Sequence, residues 1–332
     1  MRVLILLLCI ALPATLFAQD TATMQAIQLR EFGAPQVLQV REIPRPTAGA
    51  GELLVRVRAA GINPVDTGIR RGGASSLSGA VAPYVPGFDV SGVVAAIGPG
   101  VTGFSVGDEV FAMLSLRRGG GYAEYAIVKE DEVAPKPAGS TFAEAASIPL
   151  VALTAWQTLF EIADLQAGQT VLIHAGAGGV GSVAIQLAKW RGARVIATAS
   201  DYNQEFLREL GADVPVDYRN QRFEDFASAV DVVLDPIGGD TQVRSMAILR
   251  EGGTLVSIVG LTPQGRNPQR NIRVTSYLVQ PNSEQLAEIG DLMEGGQVQP
   301  IVTYRFPLAR APEAHEQSET RRTRGKIVLE LD

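Results

Sequence analysis

From Met24 to about Pro137 the chain runs in short stretches of alternating apolar and polar residues, broken by glycine and proline. Among them are "LLVRVRAAG", "FDVSGVVAAIG", "DEVFAML" and "AEYAIV". A period of two, with frequent turn signals, predicts the short strands of a small all-β unit. From about Thr141 the period changes. Residues 141 to 162 read as helix, "TVLIHAG" as a strand, and "GGVGSVAIQLAKWRG" as an amphipathic helix stopped by Gly192. There follow a strand "RVIATAS", a helix "NQEFLRELG", a strand "VPVDY", a helix near Phe223 to Ala229 and a strand "VDVVLD". A helix near Thr241 to Leu249 and a strand "GTLVSIVG" close the series. Regular alternation of strand and helix predicts an α/β fold with a doubly wound parallel sheet. After Pro281 come a helix "SEQLAEIGDLMEGG", the stretch "VQPIVTYRFPL", a short helix and a last strand "GKIVLEL". These final strands can return to the first unit, which makes the α/β unit an insertion.

The first residues, "MRVLILLLCIALPATLFAQD", follow another pattern. One basic residue precedes an apolar run from Val3 to about Leu16, and the small Ala18 precedes polar Gln19 and Asp20. This order predicts a cleavable signal peptide over 1–23 and an exported, periplasmic or secreted protein. Leu16 departs from the small residue usual before the cleaved one, and Met24 opens a sensible strand, "MQAIQLREFG". Translation from Met24 would leave the protein cytoplasmic. No other stretch approaches the ~20 apolar residues of a spanning helix, so no membrane span is expected in the mature chain.

At 332 residues the chain has room for two domains. An apolar content of 46% and a net charge of −6 describe a globular protein with no bias toward nucleic acid. The one cysteine, Cys9, falls in the leader, and His174 and His315 lack metal-ligand spacing. Thiol chemistry and a zinc-thiolate site are therefore disfavoured, and His174, alone before the glycine loop, reads as packing.

The chemistry concentrates in "HAGAGGVGSVAIQLAK", His174 to Lys189. Gly176-x-Gly178-x-x-Gly181 follows a predicted strand and opens a predicted helix, the context that gives this motif its meaning. Gly176 is expected to allow the tight turn, Gly178 to let the backbone approach a pyrophosphate, and Gly181 to let helix pack on strand. Gly179 and Val180 complete the loop. A count of about 20 residues from the last glycine reaches Asp201, an acid that would hold the ribose hydroxyls of NAD. The strand "RVIATAS" ends near Ala199 and Ser200, so a small residue is expected to face the ribose. Ser200 can bond a 2′-phosphate and Arg219 can add positive charge, which favours NADPH over NADH.

Taken together, "AAGINPVDTGIRRG", "VPGFDVSGVVAAIGPGV", "GGGYAEYAIV", "ASIPLVALTAW", "VLIHAGAGGVGSVAIQLAK", "VIATAS" and "RGKIVLEL" resemble the zinc-independent, zeta-crystallin-like quinone oxidoreductases of the medium-chain dehydrogenase/reductase superfamily. The resemblance runs from Met24 to the C-terminus. It implies a GroES-like catalytic domain over 24–145, an inserted Rossmann domain over 146–282, and a return to the catalytic domain over 283–332. NADPH would lie in the cleft between them, and a homodimer is expected. In the related zinc alcohol dehydrogenases the catalytic ligands stand where this chain has Asn63, Phe88 and, nearby, Leu150. The resemblance thus implies no zinc and no flavin. Without a Lewis acid, simple alcohols and ketones are disfavoured, and quinones or α,β-unsaturated carbonyls, whose conjugation spreads charge, become the expected substrates. The cofactor carries the hydride, and water the proton.

Within that resemblance Asn63, in "GINPVD", either holds a substrate carbonyl or cofactor ribose, or is a turn residue before Pro64. Asp66 either sets the polarity of the pocket or caps the helix that follows. Tyr122 either lines the substrate cleft or belongs to the core. Thr154 matches a threonine at the nicotinamide end, and Tyr218 a tyrosine at the adenosine phosphate. Val259 and Gly260, ending "GTLVSIVG", complete the cofactor set. Two departures matter: Gly68 replaces an active-site tyrosine of several quinone reductases, and "DYNQE" lacks the basic residue that often follows the "TAS" serine. An exported chain that needs NADPH is also awkward, since reduced pyridine nucleotides are kept in the cytosol. The second reading is therefore an exported cofactor-binding protein with this fold and little turnover.

Overall fold

In a computed structural model, residues 22–73 and 78–331 are described. The expected leader, with Cys9, lies outside them except for its last two residues. The strands are β1 (Thr23–Gln28), β2 (Gln39–Pro44), β3 (Glu52–Ile62), β4 (Asp89–Ile97), β5 (Glu109–Met113), β6 (Tyr125–Lys129) and β7 (Val133–Pro135). They continue with β8 (Thr170–Ile173), β9 (Arg194–Ala199), β10 (Val214–Asp217), β11 (Val230–Asp235), β12 (Leu249–Ser257), β13 (Arg273–Ser276), β14 (Val302–Pro307) and β15 (Lys326–Glu330). The helices that shape the site are α1 (Pro64–Arg70), α2 (Phe142–Ala146), α3 (Pro149–Trp156), α4 (Gly179–Trp190), α5 (Gln204–Glu209), α6 (Gly239–Ile248), α7 (Pro263–Arg266), α8 (Ser283–Glu294) and α9 (Ala311–Glu319).

The first large sheet runs β14-β15-β3-β4-β5-β7, with β6 also on β3. Strand β15 pairs antiparallel with β3, Ile327 opposite Ile62 and Val328 opposite Gly61, so the C-terminal strands close the sheet that the N-terminal strands begin. The second sheet is wholly parallel, in the order β10-β9-β8-β11-β12-β13. Helices flank it, so its inner strands are almost continuously apolar, as in Val171, Leu172 and Ile173 of β8. The strand order reverses between β8 and β11, which opens a crevice beyond their carboxyl ends. One apolar core runs through both sheets, with Ile62, Val151 and Ile327 in the same cluster as Ile173 and Ile185.

The helix expected over 141–162 is two helices and a wide turn. Pro149 has no N–H to continue α2, so the chain restarts at α3, and Gln157–Ile162 loosens into a π turn. The helix expected near Phe223 to Ala229 is a single 3₁₀ turn, Phe223–Asp225. Phe223 is buried, and Ala229 takes φ 51°, which turns the chain into β11 instead of extending a helix.

Gly61 fixes the approach of α2 to this sheet. A Cβ there would overlap the carbonyl oxygen of Ala146 and lie 3.0 Å from the Cβ of Asp89, its partner across β4. Gly61→Ala is expected to cost about 1–3 kcal/mol in urea unfolding, the usual range for overpacking. An unchanged midpoint would mean that α2 slides freely.

Candidate active site

Between the two sheets lies a cavity of about 980 Å³. One side is the turn from β8 into α4. Its left-handed residue is Ala175, at φ 50°, not Gly176. Gly176 is required for room: a Cβ there would lie 2.9 Å from Leu207 Cδ2 and 3.1 Å from the Cβ of Ala197. The expected role of Gly176 in the tight turn is thus corrected. At Gly181 a Cβ would overlap the Ala175 carbonyl and approach Gly176 Cα to 2.7 Å, so this glycine lets α4 start directly on the turn. Gly178 is the N-cap of α4 and offers no side-chain acceptor. The N–H groups of the first turn, from Gly179, Val180 and Gly181, therefore face the cavity as donors for an anion. The loop after β11 completes this side. Asp235 Oδ1 accepts from the N–H groups of Ile237 and Gly238, and Oδ2 from Gln242 Nε2.

The opposite side is built on a buried ammonium. Lys326 Nζ donates to the Ile62 carbonyl at 2.9 Å, to Asn63 Oδ1, and to Asp89 Oδ2 at 3.3 Å, which uses all three of its hydrogens. Asn63 Nδ2 donates to Asp89 Oδ2 at 2.8 Å, and Asp89 Oδ1 accepts from the Leu150 N–H at 2.7 Å. Burial draws both charges toward neutrality, lowering Lys326 and raising Asp89, while their attraction opposes it. The stem of Lys326 runs beneath the glycine loop, where a Cβ on Gly179 would lie 3.0 Å from its Cδ.

Asn63 lines the cavity wall, buried, with its Oδ1 accepting from Lys326 and one Nδ2 hydrogen given to Asp89, which leaves its second amide N–H for the carbonyl-holding or ribose-holding role. It is also the N-cap of α1, ahead of Pro64. Asp66 sits at the third position of α1 and accepts from the Asn63 N–H at 2.7 Å and the Gly87 N–H at 3.1 Å. It faces away from the cavity. Tyr122 is corrected: it is fully buried behind the wall, against Asp66 and edge-on to His315 at 5.8 Å, and is absent from the cavity lining. The alternative reading, that Tyr122 belongs to the core, is the one its burial supports.

Thr154 lines the cavity. Its hydroxyl donates to the Leu150 carbonyl at 2.6 Å, which leaves the oxygen as an acceptor. Val259 also lines the cavity and is half exposed, and Gly260 follows at φ 95°. Ser200 ends β9, buried, with its Oγ accepting from Asn203 Nδ2 at 3.1 Å. Asp201 and Arg219 are exposed and 4.0 Å apart, and Tyr218 lies open beside Arg219. These residues stand beyond the cavity lining, at the carboxyl ends of β9 and β10. His174 is buried in the sheet between Thr198 and Ser245, and burial lowers its imidazole to about 4.

The sequence pattern does not single out Asp89 or Lys326. The available signal is a charge at the head of an apolar run, Asp89 in "PGFDVSG" and Lys326 in "RGKIVLEL". Nor does it single out the C-terminal arm. Glu319, at the end of α9, takes Arg70 and Arg71 from α1, and Ser318, Arg321 and Thr323 line the cavity. Gly325 N–H donates to the Ala177 carbonyl at 2.8 Å, which ties this arm to the glycine loop. Among the described residues no group of three or more His, Cys, Asp or Glu could hold a metal ion.

Two family models match the chain: "alcohol dehydrogenase GroES-like domain" over residues 49–138 and "zinc-binding dehydrogenase" over 210–329. The chain is 36% identical to the 2-methylene-furan-3-one reductase of Solanum lycopersicum, covering 92% of this chain and 79% of that one. It is 35% identical to the chloroplastic NADPH-dependent alkenal/one oxidoreductase of Arabidopsis thaliana, covering 96% and 82%. The solved quinone oxidoreductase of Coxiella burnetii superposes with a TM-score of 0.87 at 36% identity, covering 94% of this chain and all of that one.

Two outcomes test the wall. Lys326→Met leaves Asp89 buried and unpaired, and is expected to cost ~3–5 kcal/mol in urea unfolding. Adding Asp89→Asn should recover part of that loss, whereas additive losses would show that the two do not form one unit. For Asp66, desolvation outweighs the Asn63 hydrogen bond and pushes its carboxyl up to about 7. Unfolded, it ionises near 3.8. The folded state therefore binds the extra proton between these values, and stability falls as pH rises through the window. Relative to Asp66→Asn, the wild type should lose on the order of 4 kcal/mol between pH 4 and pH 8. Parallel stability curves would overturn the assignment.

Proposed function

The chain belongs to the medium-chain dehydrogenase/reductase superfamily and is an oxidoreductase, and from that premise we propose that it reduces α,β-unsaturated carbonyls or quinones with NADPH and without zinc. One observation carries this reading. A dinucleotide loop at the switch point faces a wall where the three zinc-ligand places of the alcohol dehydrogenases hold Asn63, Phe88 and Leu150. Asn63 is closed off by its own hydrogen bonds, Phe88 is core, and Leu150 contributes only its N–H, to Asp89. This donor set does not fit zinc.

The residues do fit a dinucleotide. The first turn of α4 would receive the pyrophosphate, and Thr154, left with an acceptor oxygen, suits the amide of a nicotinamide. Ser200 directly follows β9, where the adenosine ribose would lie, and that position itself is not an acid. When bound, NADPH supplies a hydride. The chain's part is orientation and exclusion: Leu116, Val151, Ile258 and Tyr277 give the cavity an apolar lining suited to a flat conjugated acceptor. Lys326 has no donor left for a ground-state carbonyl and Asn63 keeps only its second amide N–H, so an acceptor that spreads the developing charge by its own conjugation suits this wall best. The proton then comes from water. Two of the relatives are named for enone-type acceptors, and Gly68 stands where several quinone reductases have a tyrosine. Both features favour the enone over the quinone.

Titration of the purified chain with NADPH and NADH, followed by enones and quinones under a zinc chelator, tests the reading. Expected are NADPH binding at least ~10-fold tighter than NADH, since one charge-assisted contact is worth that much, and turnover unaffected by the chelator. Preference for NADH would transfer the ribose contact to Asp201. Binding of neither would overturn the enzyme reading in favour of a protein that has kept only the fold.

A further inference from the structure

Resting on the NADPH reading, we propose that Arg324 grips the 2′-phosphate opposite Ser200, so that the phosphate clasps the C-terminal arm onto the cofactor domain and sets one wall of the substrate cavity. The "DYNQE" that follows the "TAS" serine lacks a basic residue, and the cation that the sequence places just after the next strand is Arg219. Arg219 is exposed and already faces Asp201 at 4.0 Å, which discounts its charge. The fold brings a second guanidinium from the other half of the chain. Arg324 Nε donates to Asn203 Oδ1 at 3.0 Å, and Asn203 Nδ2 donates to Ser200 Oγ at 3.1 Å. A single carboxamide thus separates Arg324 from the hydroxyl expected to meet the ribose phosphate. Its Nη2 reaches the Tyr202 carbonyl at 3.3 Å, and its plane lies over Phe206 at 4.6 Å. Among the described residues no carboxylate pairs with Arg324, and its Nη1 remains uncommitted. A half-buried guanidinium, fixed by stacking and lacking an anion, is poised for a phosphate.

The consequence extends to the substrate. Arg324 belongs to the arm that follows α9, and the end of α9 with that arm lines the cavity, through Ser318 and Glu319 and through Arg321 and Thr323. At one end Glu319 binds Arg70 and Arg71, and at the other Gly325 binds Ala177. Between these anchors Arg321 and Arg322 are exposed, and Arg324 is the link to α5. Phosphate bound at Arg324 therefore holds the middle of the arm, an effect that NADH, lacking the phosphate, cannot produce.

The test combines equilibrium binding with hydrogen exchange. In the wild type NADPH, and not NADH, should slow amide exchange across residues 318–325. Arg324→Gln should weaken NADPH by ~10-fold or more while changing NADH by less than ~2-fold, and Arg324→Lys should fall between. Arg219→Gln should have the smaller effect of the two arginines. The proposal is overturned if NADPH stays preferred in Arg324→Gln, if both cofactors weaken equally, or if the arm exchanges alike with either. If Arg324→Gln does not fold, the wild-type exchange comparison decides alone. A wild type that prefers NADH sinks the NADPH reading itself, which separates that failure from this one.

Discussion

A single buried ammonium holds the two halves of this protein in register. Lys326 is the first residue of β15, and its three hydrogens go to the end of β3, to the cap of α1 and to the start of β4. Its stem lies against Gly179, and its neighbour Gly325 bonds the turn at Ala177. The strand that returns from the far end of the sequence is thereby fixed to both the catalytic sheet and the cofactor loop. Such a charge is tolerated in the interior because every donor has a partner and Asp89 supplies the opposite sign; removing either would leave the other stranded.

Around that anchor the remaining polar groups form a graded series away from water. Asp89 is paired, Asp66 is held near neutral pH by desolvation, and Tyr122 and His315 behind it are pushed toward their uncharged forms, the imidazole to about 3. None of the last three reaches the cavity. They stiffen α1 and the loop at Gly87 from behind, so acid–base chemistry on the substrate has no buried relay to draw on.

The sequence makes the architecture readable because the periods are strong. Alternation locates β3 to β6, and the strand-glycine-helix run locates the switch point with the correct helix, Gly179–Trp190. What it misplaces is decided by tertiary contact. Gly176 looks like the turn residue, but Ala175 carries the left-handed conformation, because the space at 176 is filled by Leu207 and Ala197. Tyr122 looks available for a cleft, but it is buried against Asp66 and His315, behind the cavity wall. Asp89 and Lys326 are far apart in the chain and sit in apolar runs, so their meeting depends on β15 pairing with β3, which no local pattern encodes. The arm from Thr320 to Gly325 is invisible for the same reason.

The saturation of Lys326 also bears on which reductions this cavity can perform. In the zinc branch of the superfamily a metal at this wall would stabilise a localised alkoxide. Here the wall presents a cation whose donors are all consumed, so Lys326 stabilises the fold more than a reacting oxygen. On the reading proposed above, hydride transfer is then feasible only where the acceptor delocalises its own charge, as an enone or quinone does. A saturated ketone would concentrate its charge on one oxygen, and Lys326 has no hydrogen free to meet it. On that reading, the preference for conjugated acceptors is tied to hydrogen bonds that Lys326 already makes inside the protein.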